Sequence, residues 1–180
     1  MTPISWMVCR GLIVICGILA GLGLALADPP DSAPSTEQMV QQLKPRSASR
    51  GIVIGGAGAI TPAAAPSIDL AVSFEFNSAR LTTDAELLLD RLGAALQSPA
   101  LGNSHFRIAG NTDASGGSGY NLRLSDSRAR AVKTYLVGRH GIAADRLSTM
   151  GYGSSHLLDP QHPKSGVNRR VEVTNTGSGG

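Results

Sequence analysis

The stretch NTDASGGSGYNLRLSDSRA (111–129) sets an acid, Asp113, fifteen residues ahead of a base, Arg128, across a run holding Gly116, Gly117 and Gly119. Three kinds of chemistry use such an arrangement. The pair can close on itself as a salt bridge, the acid can open a metal loop, or the two charges can stay apart and grip a ligand that carries both signs. In the third case a carboxylate holds an ammonium, while a guanidinium takes a carboxylate through two parallel hydrogen bonds. The glycines permit the tight loop that brings a strand end and a helix to one concave site. A calcium loop wants several acids at alternate positions, and here Asp113 alone precedes Gly116. No metal site is therefore expected, and spacing leaves bridge and clamp both open.

Catalytic chemistry finds little support. The four histidines, His105, His140, His156 and His162, include no i, i+4 pair, and none stands beside a cluster of acids. There is no G-x-S-x-G, and both cysteines, Cys9 and Cys16, fall in the first 27 residues. The segment RGIVIGGAGAIT imitates a dinucleotide-binding turn. The third glycine position, however, is Thr61, and Pro62 and Pro66 follow where a phosphate-binding helix should start. The expectation is a protein without enzyme activity or cofactor.

Residues 1–27 read as an exported leader. Arg10 precedes seventeen uncharged residues, GLIVICGILAGLGLALA, that end on Ala25-Leu26-Ala27. Cleavage after Ala27 is the expected fate. An uncleaved anchor is the rival, since seventeen apolar residues reach the lower limit for spanning a bilayer. Without Arg10 the chain carries 15 basic and 13 acidic residues, and aromatics make up 4%. Neither number suits nucleic-acid binding.

Residues 28–66 are rich in Pro, Ala, Ser and Gly and read as a linker, within which STEQMVQQL (35–43) has helical character. Stretched out, that segment would reach on the order of 100 Å. From 67 to 176 the pattern is that of a folded domain. In SIDLAVSFEF apolar residues alternate from Ile68 to Phe76, as in a half-buried strand. Thr82 and Thr83 cap a helix with Leu88, Leu92, Ala95 and Leu96 on one face. HFRIAG (105–110) is a second strand. A second helix follows, with Leu122, Ala129, Val132, Tyr135 and Leu136 expected on its core face and Gly138 as its stop. LSTMGYG (147–153) and RRVEVTNT (169–176) complete the set, and the tail 177–180 is expected to be flexible. The order β-α-β-α-β-β predicts an α+β two-layer sandwich, a mixed sheet with its helices on one face.

Residues 67–175 resemble the OmpA-like (OmpA/MotB) peptidoglycan-binding domain. FEFNSARL, IAGNTDASG, YNLRLSDSRARAVKTYL, GIAADRLSTMGYG and NRRVEV carry the resemblance, in that order. It implies the same β-α-β-α-β-β architecture and non-covalent binding of the cell-wall stem peptide through its diaminopimelate. On this resemblance Asp113 would meet the ammonium and Arg128 the carboxylate of that residue. Asn77, Asn121 and Leu122 would line the same groove, and Arg169 and Arg170 match a motif near it. One position departs from the family pattern. Asn111 stands where histidine usually precedes Thr-Asp, so a group that hydrogen-bonds without titrating replaces one that titrates. The 39 residues from Asp28 to Pro66 are too few for an upstream outer-membrane barrel. The implied protein is periplasmic or otherwise in the cell envelope, with peptidoglycan as partner and membrane proteins of the envelope as further candidates. The alternative is a membrane-anchored part of an envelope machine, of stator or secretion type, that uses this domain to hold the wall.

Overall fold

The computed structural model describes residues 33–45 and 64–178. The leader, the glycine-rich turn-like segment and most of the stretch read as a linker lie outside these described residues. The described residues form one compact unit.

Four strands make a mixed sheet in the order β1-β4-β2-β3. Strand β1 is Ser67–Leu70, β2 Ser104–Asn111, β3 Leu147–Gly153 and β4 Val171–Ser178. β4 runs antiparallel to both β1 and β2, with Val173 opposite Ile68 on one side and Ile108 on the other. β2 and β3 are parallel, with Phe106 beside Leu147. Helix α1 is Thr36–Leu43, α2 Thr83–Leu96 and α3 Ser118–His140. Phe106, Ile108, Leu147, Val171 and Val173 form one core with Leu89, Leu92 and Leu96 of α2 and Val132 and Leu136 of α3. This is the expected two-layer α+β sandwich.

Four details differ from the sequence reading. First, Thr36–Leu43 is part of the domain rather than of a spacer. Its start is a capping box: Gln38 N donates to Ser35 Oγ (3.3 Å), and Ser35 N donates to Gln38 Oε1 (2.8 Å). An eight-residue helix is marginal by itself. Met39 and Leu43, however, are fully buried, at roughly 1.5–3 kcal/mol for each such side chain. Asn175 Nδ2 also donates to Leu43 O (2.8 Å), satisfying a carbonyl that the helix end leaves open.

Second, β1 ends at Leu70. Beyond Phe74, which bridges to Leu81, the chain turns through Asn77 in the left-handed region (φ 54). Phe76 is thereby 100% exposed instead of inward-facing. Third, α3 runs through Gly138 and ends where Gly141 adopts φ 63, the left-handed conformation that closes helices. Its buried stripe is Asn121, Ser125, Ala129, Val132 and Leu136. Leu122 sits about 100° around the helix from Asn121 and is 51% exposed. Fourth, Gly177 and Ser178 are not a loose tail but pair with His105 and Ser104.

The small residues of the α3 stripe have a geometric cause. A Cβ on Gly110 of β2 would lie 2.2 Å from Ser125 O, and one on Gly151 of β3 would lie 2.5 Å from Asp126 N. The first half of α3 therefore rests on the sheet with backbone against backbone. Ser125 Oγ completes the contact by accepting from Gly153 N (2.8 Å). At the far end His140 Nε2 (2.8 Å) and Tyr135 Oη (2.9 Å) both reach Asp90 Oδ1 on α2. Those hydrogen bonds, the one with His140 foremost, hold the Asp90 carboxyl below its ordinary range.

Two glycines should respond oppositely to alanine. Gly110→Ala forces α3 off the sheet and should destabilise by about 1–3 kcal/mol or more. Gly138→Ala, exposed in a helix interior with open space around it, should stabilise by about 0.5–1 kcal/mol. Urea unfolding of both variants measures the difference, and equal midpoints would refute the close-approach account.

Candidate functional site

Asp113 follows the end of β2 in a loop pinned on both sides. Thr112 N donates to Gly153 O (2.8 Å) and Ala114 N to Pro163 O (2.8 Å). Asn121, buried on the first turn of α3, donates through Nδ2 to Ser115 O (3.0 Å) and Asp113 O (3.3 Å). Gly116 turns the loop at φ 85, where a side chain would be strained. Asp113 is thus held nearly buried at the floor of a groove of about 500 Å³. Asn77, Tyr120, Asn121, Arg128 and Arg169 also line it.

Asp113 and Arg128 share this groove without an ion pair between them, so the mutual-bridge alternative does not hold. The partner of Asp113 is Arg169, whose Nη1 donates to Asp113 Oδ2 (2.7 Å). Ser115 N donates to the other oxygen, Oδ1 (2.9 Å). Burial raises the carboxyl's pKa, but the bonds from Arg169 and Ser115 and the Arg169 charge outweigh it, and the net shift is downward. Asp113 is therefore a carboxylate, and each oxygen keeps a lone pair for a further donor.

Arg128 is fixed differently. Its Nε donates to Ser78 O (3.0 Å), and its Cζ lies 4.8 Å from the centre of the Phe74 ring. Among the described residues no hydrogen bond occupies its two Nη groups. Burial lowers its pKa most; Tyr120 and Asp113 act upward and Arg169 downward. A guanidinium remains charged through such shifts. The arrangement offers, in one groove, a carboxylate with open lone pairs and a guanidinium with its terminal fork unused.

Of the other expected groove residues, Asn77 is in place at the rim, where its Oδ1 accepts from Tyr120 Oη. Asn121 lines the groove, though its amide is committed to the loop. Leu122 is not there: it borders a separate recess with Ser118, Tyr152 and Ser155. Arg170, next to Arg169, is turned to Asp69 (2.6 Å) and His156 O (3.1 Å). Asn111 is 2% exposed, and among the described residues neither Oδ1 nor Nδ2 has a hydrogen-bonding partner. Tyr120, Thr112 and Phe74 are groove residues that spacing did not reveal, because their positions depend on where the 74–81 turn meets α3.

The chain matches the OmpA family over residues 73–170. It is 36% identical over 107 residues to outer membrane protein A of Bordetella avium, covering 58% of this chain and 54% of that protein. The peptidoglycan-associated lipoprotein from Burkholderia pseudomallei is similar in structure, with 28% identity, a TM-score of 0.50, and coverage of 58% of this chain and 88% of that one. The periplasmic domain of Helicobacter pylori MotB shares the fold, at 21% identity, a TM-score of 0.56, and coverage of 66% of this chain and 80% of that one. The chain spans about half, or less, of the length of the full proteins it matches. The chain belongs to the OmpA family.

Proposed function

We propose that this domain binds peptidoglycan non-covalently, by gripping the zwitterionic end of the diaminopimelate in the stem peptide. One observation carries the reading: Asp113 and Arg128 line a single groove without pairing, each with unused hydrogen-bonding capacity toward it. An amino-acid end group presents an ammonium and a carboxylate a few ångströms apart. Asp113 receives the ammonium, and the Arg128 fork receives the carboxylate through two parallel bonds. Arg169 positions Asp113 and keeps it ionised. The likeness to a lipoprotein named for its association with peptidoglycan supports the ligand class. The likeness to a Bordetella outer membrane protein supports a place in the cell envelope. The protein acts there as a binding element rather than an enzyme, holding what it is attached to against the wall.

Sedimentation with purified diaminopimelate-type sacculi tests the clamp. Loss of both charge-assisted contacts in an Asp113→Ala/Arg128→Ala double variant should weaken binding by about 10- to 100-fold or more. Equal sedimentation of variant and wild type would refute it.

The pH response has a definite sign. Because the Asp113 pKa is depressed, its contribution is present above the ordinary carboxylate range and is lost as pH falls through the depressed value. Binding should thus stay level from about pH 5 to pH 8. Arg169→Gln removes the charge and hydrogen bond that oppose burial, and should move the acid limb of binding to higher pH. An unmoved limb would show that Arg169 does not position Asp113.

A further inference from the structure

The zwitterion groove does not exhaust its two arginines. Arg128, Arg169 and Phe74 also wall an adjoining recess of about 320 Å³, closed by the 71–73 backbone stretch and Gly166. The charge balance differs between the two spaces. In the groove, Asp113 answers Arg169, and Glu75 pairs with Arg80 at the rim (3.5 Å). The adjoining recess is lined by two guanidiniums and by no carboxylate.

The donors left over are also suited to an anion. Arg128 commits Nε to Ser78 O, and Arg169 commits Nη1 to Asp113, so each keeps terminal N–H groups unbonded among the described residues. Arg169 is 55% exposed at its side chain, open to solvent and to a ligand. A Cβ on Gly166 would stand 2.9 Å from Arg169 Nη2, so glycine lets that guanidinium lie against the backbone. Ser73, an exposed residue, also lines the recess. The Arg169 charge opposes that of Arg128, and an anion between them would relieve that repulsion.

We infer that the recess is a second anion subsite, taking a carboxylate carried by the residue next to the zwitterionic end group. This rests on the zwitterion reading of the groove. The domain then binds a short acidic peptide bearing a diamino-acid end more tightly than the lone diamino acid. Arg128 and Arg169 serve both subsites, with Phe74 as the shared wall between them.

Calorimetry on the full chain in neutral detergent separates the two subsites. Three probes are titrated: meso-diaminopimelate, γ-glutamyl-meso-diaminopimelate with its glutamyl α-carboxylate free, and the same dipeptide with that group as the amide. Wild type should bind the free acid about 10-fold more tightly than the amide, as a charge-assisted contact requires. Ala71→Glu, at an exposed lip of the recess, should supply a competing carboxylate and reduce the preference to less than about 2-fold. Ala71→Gln should retain the preference, and circular dichroism checks that both variants are folded. Ala71→Gln should also bind meso-diaminopimelate as wild type does. Equal binding of acid and amide by wild type, or an undiminished preference in Ala71→Glu, overturns the second subsite. If meso-diaminopimelate binds while acid and amide are equal, the groove reading survives and this one falls. If meso-diaminopimelate does not bind, both fall.

Discussion

The contact on which the rest of the structure depends is the seating of α3 on the sheet. Gly110 and Gly151 lie against the backbone of Ser125 and Asp126, and Gly153 against that of Asn121 and Leu122. Without side chains at those points, the first half of α3 sinks until main chain meets main chain. Its stripe there must then be small or polar, hence Asn121, Ser125 and Ala129. The depth of seating has two consequences for the groove. It brings the Asn121 amide to the carbonyls of Asp113 and Ser115, and it sets Arg128 high enough on the helix to reach Ser78 O and Phe74.

The electrostatic design follows from the division between two arginines. Had Arg128 closed on Asp113, each charge would have satisfied the other and left a ligand little to gain. Arg169 takes the structural share instead, orienting one oxygen and holding the carboxyl ionised against burial. Arg128 is held by a carbonyl and an aromatic face, neither of which cancels its charge. The loop that delivers Arg169 has its own anchor. Asn168, fully buried, donates to His162 O (3.0 Å), Asp159 O (3.3 Å) and Pro163 O (3.3 Å), and accepts from Asp159 N (2.9 Å). Asn111 shows the opposite situation. Its carboxamide is buried, and among the described residues it meets no hydrogen-bonding partner.

The sequence foretold the architecture because its signals are local. Alternation from Ile68 to Leu70, the Thr82 cap and the Leu88–Leu96 face follow from strand and helix periodicity. That Asp113 and Arg128 could come to one concave place was likewise readable from their loop and helix, and both line one groove. Where local periodicity and tertiary packing disagreed, packing prevailed. Leu122 is apolar and helical, but the stripe that meets the sheet is chosen by the glycines of the neighbouring strands. Phe76 continues the alternation of its strand, yet the chain has already turned away to build the groove rim. STEQMVQQL has too few residues to commit to a helix alone, and its docking surface lies on elements far along the chain.

By itself the sequence determined the order of elements from β1 to β4, an acid and a base on either side of one loop, and the glycines that shape that loop. Each of these is written in residue types within a short window. The tertiary structure decided which arginine pairs with Asp113. Arg128 is fifteen residues away and Arg169 fifty-six, and the choice depends on the seating of α3 and the path of the loop anchored by Asn168. It also decided that Leu122 stays out of the groove and that Tyr120 and Phe74 enter it. Those outcomes rest on distances between elements remote in sequence, set by how closely backbones can approach.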